Sequence, residues 1–311
     1  MTTLPLGRRD RALLAILYVA LAVVLSHAHA VRIDQPNRAR NLERHADVLR
    51  NGERDPYQYK LWTISWAIEG VHRATGADVF KSYLVNGFLA VLALLLAHHR
   101  WLGALYGTRE ALLGTLLLAA LAHGQFLGYQ HHPYDLWGLA GFCLLLHAMA
   151  CGASLPRLCL LALATGLVWE KHALLPVVYG VMALKAGRRL VPTALRSAAY
   201  LACCLAIPVA IRLVLGTNRD VVDDTSFTAQ HWGKAIAHHA PFVLPFLAIL
   251  VVRWDRVPPL VRWLWLYVPV LFAAYLANRL MIEELRSFWA FVPVFTATAC
   301  AWSRDLPSPS P

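Results

Sequence analysis

Residues 164–178 read ATGLVWEKHALLPVV, an apolar run broken at its middle by Glu170 and Lys171. On insertion scales a charged residue at the centre of a membrane helix costs about 2.5–3.5 kcal/mol, so such residues are rare and usually face protein or water. Flanking the pair are apolar runs at 157–169 and 172–185. At 1.5 Å per residue each reaches about 20 Å, short of a hydrocarbon core of about 30 Å. Three arrangements compete. Two full spans would be too short. One long helix would place Glu170 near mid-membrane and send Lys185, Arg188, Arg189 and Arg196 outside. A re-entrant pair, entering and leaving on one side, returns that cluster to the inside. Cytoplasmic loops carry an excess of Lys and Arg, so the charge favours the re-entrant pair.

Working outward, 58% of the 311 residues are hydrophobic and 15% are charged. Soluble domains carry roughly 25% charged residues. The composition predicts an all-α, polytopic integral membrane protein. Candidate spans lie at 12–31, 79–98, 110–128, 136–153, 195–215, 241–253, 260–278 and 287–302, about eight in all, plus the re-entrant pair. Residues 1–302 form one transmembrane domain with a long outer loop at 32–78, and 303–311, ending LPSPSP, form a disordered tail. The first thirty residues also imitate a signal peptide, with a basic start, an apolar centre and an AHA ending. An uncleaved first helix is the reading taken, since 12–31 is long enough to span. It leaves Arg8, Arg9 and Arg11 inside, together with Arg100, Arg109, Arg157, Arg253, Arg256, Arg262 and Arg304.

The formal charge of +11 would suggest nucleic acid in a soluble protein. Here positive-inside loops and anionic lipid account for it, and no nucleic-acid partner is expected. Cysteines 143, 151, 159, 203, 204 and 300 all lie in apolar segments, without metal or disulfide spacing. They are packing residues.

This topology places 32–78, 129–135, 216–240 and 279–286 on the outer face. In the first loop, 37–52 forms a short helix, and Leu61, Ile64, Ile68 and Val71 mark a second, interfacial one with Trp62 and Trp66. Arg32, Arg38, Arg40, Arg44, Arg50, Arg54, Lys60, Arg73 and Lys81 make this stretch basic. It is either a solvated loop or an anion site, and a phosphate-bearing lipid is the obvious anion at that depth. Asp34, in VRIDQP, is a candidate general base or a turn residue beside Pro36. Tyr59 and Lys60 enter the interfacial helix. His131 and His132, in YQHHPYD, suit hydrogen bonds to phosphate or an acceptor hydroxyl better than a metal. No metal and no cofactor are expected. Glu283, Glu284 and Arg286 stand at the mouth of the last span, as a local ion pair or part of a shared site.

In layout the chain resembles bacterial multi-span proteins of the GT-C glycosyltransferase superfamily, which use lipid-phosphate-linked sugars. The likeness rests on an acidic residue after the first helix, a long outer loop with interfacial helices, and later outer loops closing a cavity. It is also similar to uncharacterised membrane proteins with a Tyr-Arg motif in that loop, matched by Tyr59 and Lys60 with Lys in place of Arg. Trp169, Glu170, Lys171 and His172 stand at their interrupted helix and share only its Glu, while Glu284, Arg286 and Pro293 stand at their ending motif. The resemblance implies transfer of a sugar from a polyprenyl-phosphate donor to a lipid or glycan acceptor, at the outer face of the bacterial inner membrane. Asp34 would be the base. Lys60, Arg286 and His131 or His132 would hold the phosphate, with Tyr59, Glu284, Glu170 and Lys171 lining the site. A transporter or lipid flippase, or a non-catalytic membrane subunit of polysaccharide assembly, is the alternative, although no internal repeat is found.

Overall fold

The computed structural model describes residues 7–50, 58–128, 133–168, 171–215, 240, 243–270 and 291–303. The protein is all-helical there, with no strand among the described residues. In chain order the helices are α1 (Arg8–His29), α2 (Arg38–Arg50), α3 (Gln58–Thr75), α4 (Val79–Leu105), α5 (Thr108–Gly128), α6 (Pro133–Ala150) and α7 (Leu155–Gly166). Then come α8 (Leu175–Lys185), α9 (Leu190–Leu215), α10 (Val243–Val252), α11 (Pro259–Leu264) and α12 (Phe291–Ser303). A π-helical turn, Ala30–Asp34, extends α1, and a 3-10 turn, Lys171–Leu174, precedes α8.

Among the described residues three helices are long and apolar enough to cross a membrane: Arg8–Asp34, Val79–Leu105 and Leu190–Ile211. That is fewer than the eight expected. Within the described residues the segments at 135–150, 155–166, 243–252 and 291–303 are apolar helices shorter than a full crossing. Large apolar side chains point outward on the long helices. Ile16 on α1 and Leu195, Leu213 and Val214 on α9 are each more than 60% exposed. Apolar stripes of this kind are unusual on soluble monomers and ordinary where lipid is the solvent.

At the centre lies α4, packed against α1, α5, α6 and α3. The span expected at 79–98 lies within a longer helix that continues to Leu105. His98 is fully buried and finds partners on two other helices. Its Nε2 lies 2.8 Å from Thr296 Oγ1 and its Nδ1 3.1 Å from Thr115 Oγ1. The Thr296 hydroxyl donates to the Val292 and Pro293 carbonyls, so His98 Nε2 is the donor to it and Nδ1 accepts from Thr115. Tyr106 donates to the Ala297 carbonyl at 2.6 Å, and Trp265 Nε1 donates to Thr298 at 2.9 Å. These bonds tie α12 into the bundle. Its thirteen residues are almost all buried, which explains an apolar helix without a polar face.

Close approach of α5, α4 and α12 depends on Gly114. A Cβ there would sit 2.3 Å from Leu102 Cδ1 and 2.7 Å from Cys300 Sγ. Gly114→Ala is expected to destabilise the protein by about 1–3 kcal/mol through overpacking. Gly87→Ala, where nothing lies within 4 Å, should be neutral or slightly stabilising. Thermal unfolding of the two purified variants makes the comparison, and equal midpoints would refute tight packing at Gly114.

The interrupted run forms a helical hairpin against α9. Gly166, ending α7, lies against Cys204, Ile207 and Pro208, whereas Gly180 in α8 lies against Ser197. Leu155 and Leu158 at the start of α7, Ala183 and Ala186 at the end of α8, and Thr193 and Arg196 of α9 share one cavity. The chain therefore advances along α9 in α7 and returns in α8. At the turn-round, Tyr267 donates to the His172 carbonyl at 3.4 Å, and Thr165 packs on Gly141 of α6.

Trp137 Nε1, near the start of α6, donates to Asn86 Oδ1, near the start of α4, at 3.2 Å. Tyr18 bonds His99 at 2.6 Å, which makes α1 antiparallel to α4. With Arg253 over the Trp302 ring at 4.8 Å and Cys300 donating to the Glu110 carbonyl, these pairings gather the helix ends rich in Arg at one pole. Asp34 and α3 belong to the other.

Candidate functional site

At the pole opposite the basic one, α1 ends in a tight knot around Asp34. The cause is local. Proline at 36 has no N–H, and its ring would collide with the carbonyl of Arg32 in a regular helix. The backbone widens instead, and Gln35 N–H donates to the Ala30 carbonyl five residues back, at 2.8 Å. In an α-helix, residues five apart point about 140° away from each other. The wider turn brings His29 and Asp34 onto one face, where His29 Nδ1 and Asp34 Oδ2 are 2.9 Å apart. Both side chains are buried, 11% and 6% exposed. Asp34 Oδ1 is buried too and has no hydrogen-bond partner among the described residues. Buried polar atoms are nearly always bonded, and single-turn π-bulges are common at functional sites.

The turn rests on α5, and the next helices close around it. Arg38 at the start of α2 lies 3.7 Å from Asp78 and 5.0 Å above the Phe80 ring. Along α2 and α3, His45 meets Glu69 at 3.3 Å, while Arg73 Nε donates to the other Glu69 oxygen at 2.7 Å. The Arg73 guanidinium holds the Glu69 carboxyl below its ordinary pKa, with His45 adding to the effect. Ile64 and Ile68 are buried beneath this clasp, and Trp66 is exposed as an interfacial anchor would be. His72 Nδ1 bonds the Ala77 carbonyl, turning the chain toward α4, where Asp78 caps Lys81 N–H.

One contact joins the first loop to the hairpin. Thr63 of α3 donates to the Leu167 carbonyl at 2.9 Å. Tyr59 and Lys60 lie one turn before Thr63 on the same helix, and their side chains lie outside the description. Lys171, half-buried, opens the 3-10 turn of the hairpin tip. The structure thus brings the α3 backbone carrying Tyr59 and Lys60 to the loop that carries Lys171. His131, His132, Glu170, Glu284 and Arg286 lie outside the described residues. Among the described residues no three His, Cys, Asp or Glu side chains converge as metal ligands.

His29 is the residue that sequence reasoning missed. It belongs to the HAHA stretch, where small residues drew attention as a cleavage signal. Helical periodicity separates it from Asp34, and only the Pro36-induced widening joins them.

No family model, curated protein or solved structure matches the chain.

Proposed function

We propose that the protein is a glycosyltransferase of the bacterial inner membrane. In this reading about eight segments cross the bilayer, α7 and α8 form a re-entrant pair, and the basic pole faces the cytoplasm. The reading is supported chiefly by the buried Asp34 carboxylate, held through one oxygen by His29 with the other left over. A fixed carboxylate with a spare acceptor oxygen at the end of the first span is what a general base for a hydroxyl requires.

The acceptor hydroxyl oxygen attacks the anomeric carbon of a polyprenyl-phosphate-linked sugar. The bond from that carbon to the phosphate oxygen breaks, the hydroxyl proton passes to Asp34 Oδ1, and polyprenyl phosphate leaves with the electron pair. Lys60, Arg286 and His131 or His132 offset the charge on the leaving phosphate, a large catalytic contribution in a partly dry site. Tyr59 and Glu284 bind around it, and Glu170 and Lys171 line the floor. The Thr63–Leu167 bond supports a shared outer cavity by tying the first loop to that floor.

Mass spectrometry of lipid extracts from a deletion strain tests the function. A lipid-linked sugar should accumulate when the gene is removed and disappear on complementation. An unchanged profile sinks the enzyme and favours a transporter or an assembly subunit.

A further inference from the structure

At the basic pole, far from Asp34, a cavity of about 680 Å³ opens where the hairpin meets α9. Its volume is that of a ligand site. One wall is apolar, formed by Leu158, Tyr179 and Met182, and its rim carries Arg188 and Arg196. No acid lines it. Between 151 and 219 the sequence holds a single acid, Glu170. Arg157, Lys185 and Arg189 flank the same mouth in sequence. The cavity therefore joins an apolar slot to an uncompensated cationic rim, at the end of helices whose outer faces meet lipid.

From this juxtaposition we propose that the cavity holds one anionic phospholipid of the adjoining leaflet, its phosphate at Arg188 and Arg196 and an acyl chain along the Tyr179–Met182 wall. Guanidinium groups bind phosphate oxygens in pairs, and basic pockets between membrane helices on the cytoplasmic side suit anionic head groups. A free phosphate would leave the apolar wall unused. A neutral lipid would leave the arginines without a partner. The lipid would also brace the mouth of the hairpin, because it touches the start of α7, the end of α8 and α9 at once.

Native mass spectrometry of the full chain tests this, with protein exchanged into phosphatidylcholine nanodiscs and titrated with phosphatidylglycerol. The wild type should bind one phosphatidylglycerol in preference to phosphatidylcholine. Arg188→Gln with Arg196→Gln should weaken it about thirtyfold, the effect of two surface cations. Arg8→Gln with Arg9→Gln removes charge at the same pole outside the cavity and should leave this site unchanged. Met182→Trp, which fills the slot, should exclude the lipid while keeping both arginines. Equal binding of phosphatidylcholine, full binding by the Arg188/Arg196 variant, or equal loss in the Arg8/Arg9 variant would each overturn the proposal. Displacement by inorganic phosphate alone would make it a phosphate site and overturn the lipid.

Discussion

Asp34→Asn is expected to lower sugar transfer by about 10²–10⁴-fold, the usual cost of losing a general base. Asparagine keeps the size and planarity of the side chain, and its amide oxygen still meets His29 Nδ1–H. The π-turn, whose cause is Pro36 rather than the carboxylate, should persist. Protein level and thermal midpoint should therefore stay near wild type while transfer collapses. The measurement is complementation of the deletion strain, with the lipid-linked donor and the glycosylated product both quantified. His29→Gln supplies the contrast. It leaves the carboxylate but loosens its orientation, so a smaller loss is expected. Near-normal transfer in Asp34→Asn would make Asp34 a turn residue and pass the role to Glu283 or Glu284.

Native Cys151 gives an all-or-none test of the orientation. It is exposed in the turn between α6 and α7, at the basic pole. Cys143, Cys204 and Cys300 are buried, and Cys159 and Cys203 are half-buried in helices. In intact spheroplasts a membrane-impermeant maleimide should leave Cys151 unmodified. In inverted vesicles it should react fully. Thr75→Cys, exposed at the end of α3, should show the reverse pattern. Reaction of Cys151 from outside would invert the whole chain and put Asp34 on the cytoplasmic face. A polytopic chain orients by its Lys and Arg, and the turn that carries Cys151 borders the cavity lined by Arg188 and Arg196.

Helix positions were largely legible because apolar length is local information. The segments read from the sequence fall on α1, α4, α5, α6, α9, α10 and α12, the one at 260–278 meets the six-residue α11 and a turn at 265–266 before leaving the described residues, and the break around Glu170 falls between α7 and α8. Errors came where a polar residue has a distant partner. The span expected at 79–98 stops at His98, whose partner Thr296, 198 residues away, is invisible to a local window. The apolar run at α12 is enclosed by neighbouring helices, which nothing in its composition reveals. Asp34 stood out as a boundary carboxylate, but its environment did not. Pro36 is the single residue that could have exposed the pairing with His29, since it forbids a regular helix at Arg32.

The α7–α8 hairpin also constrains how the protein can be made. During synthesis α7 and α8 leave the ribosome before α9, the helix against which both Gly166 and Gly180 are seated. Neither arm is long enough to cross lipid by itself. A nascent chain halted before residue 190 would leave α8, and the side of α7 that faces away from α6, uncovered. Packing of the hairpin at 155–185 is therefore completed only when α9 arrives.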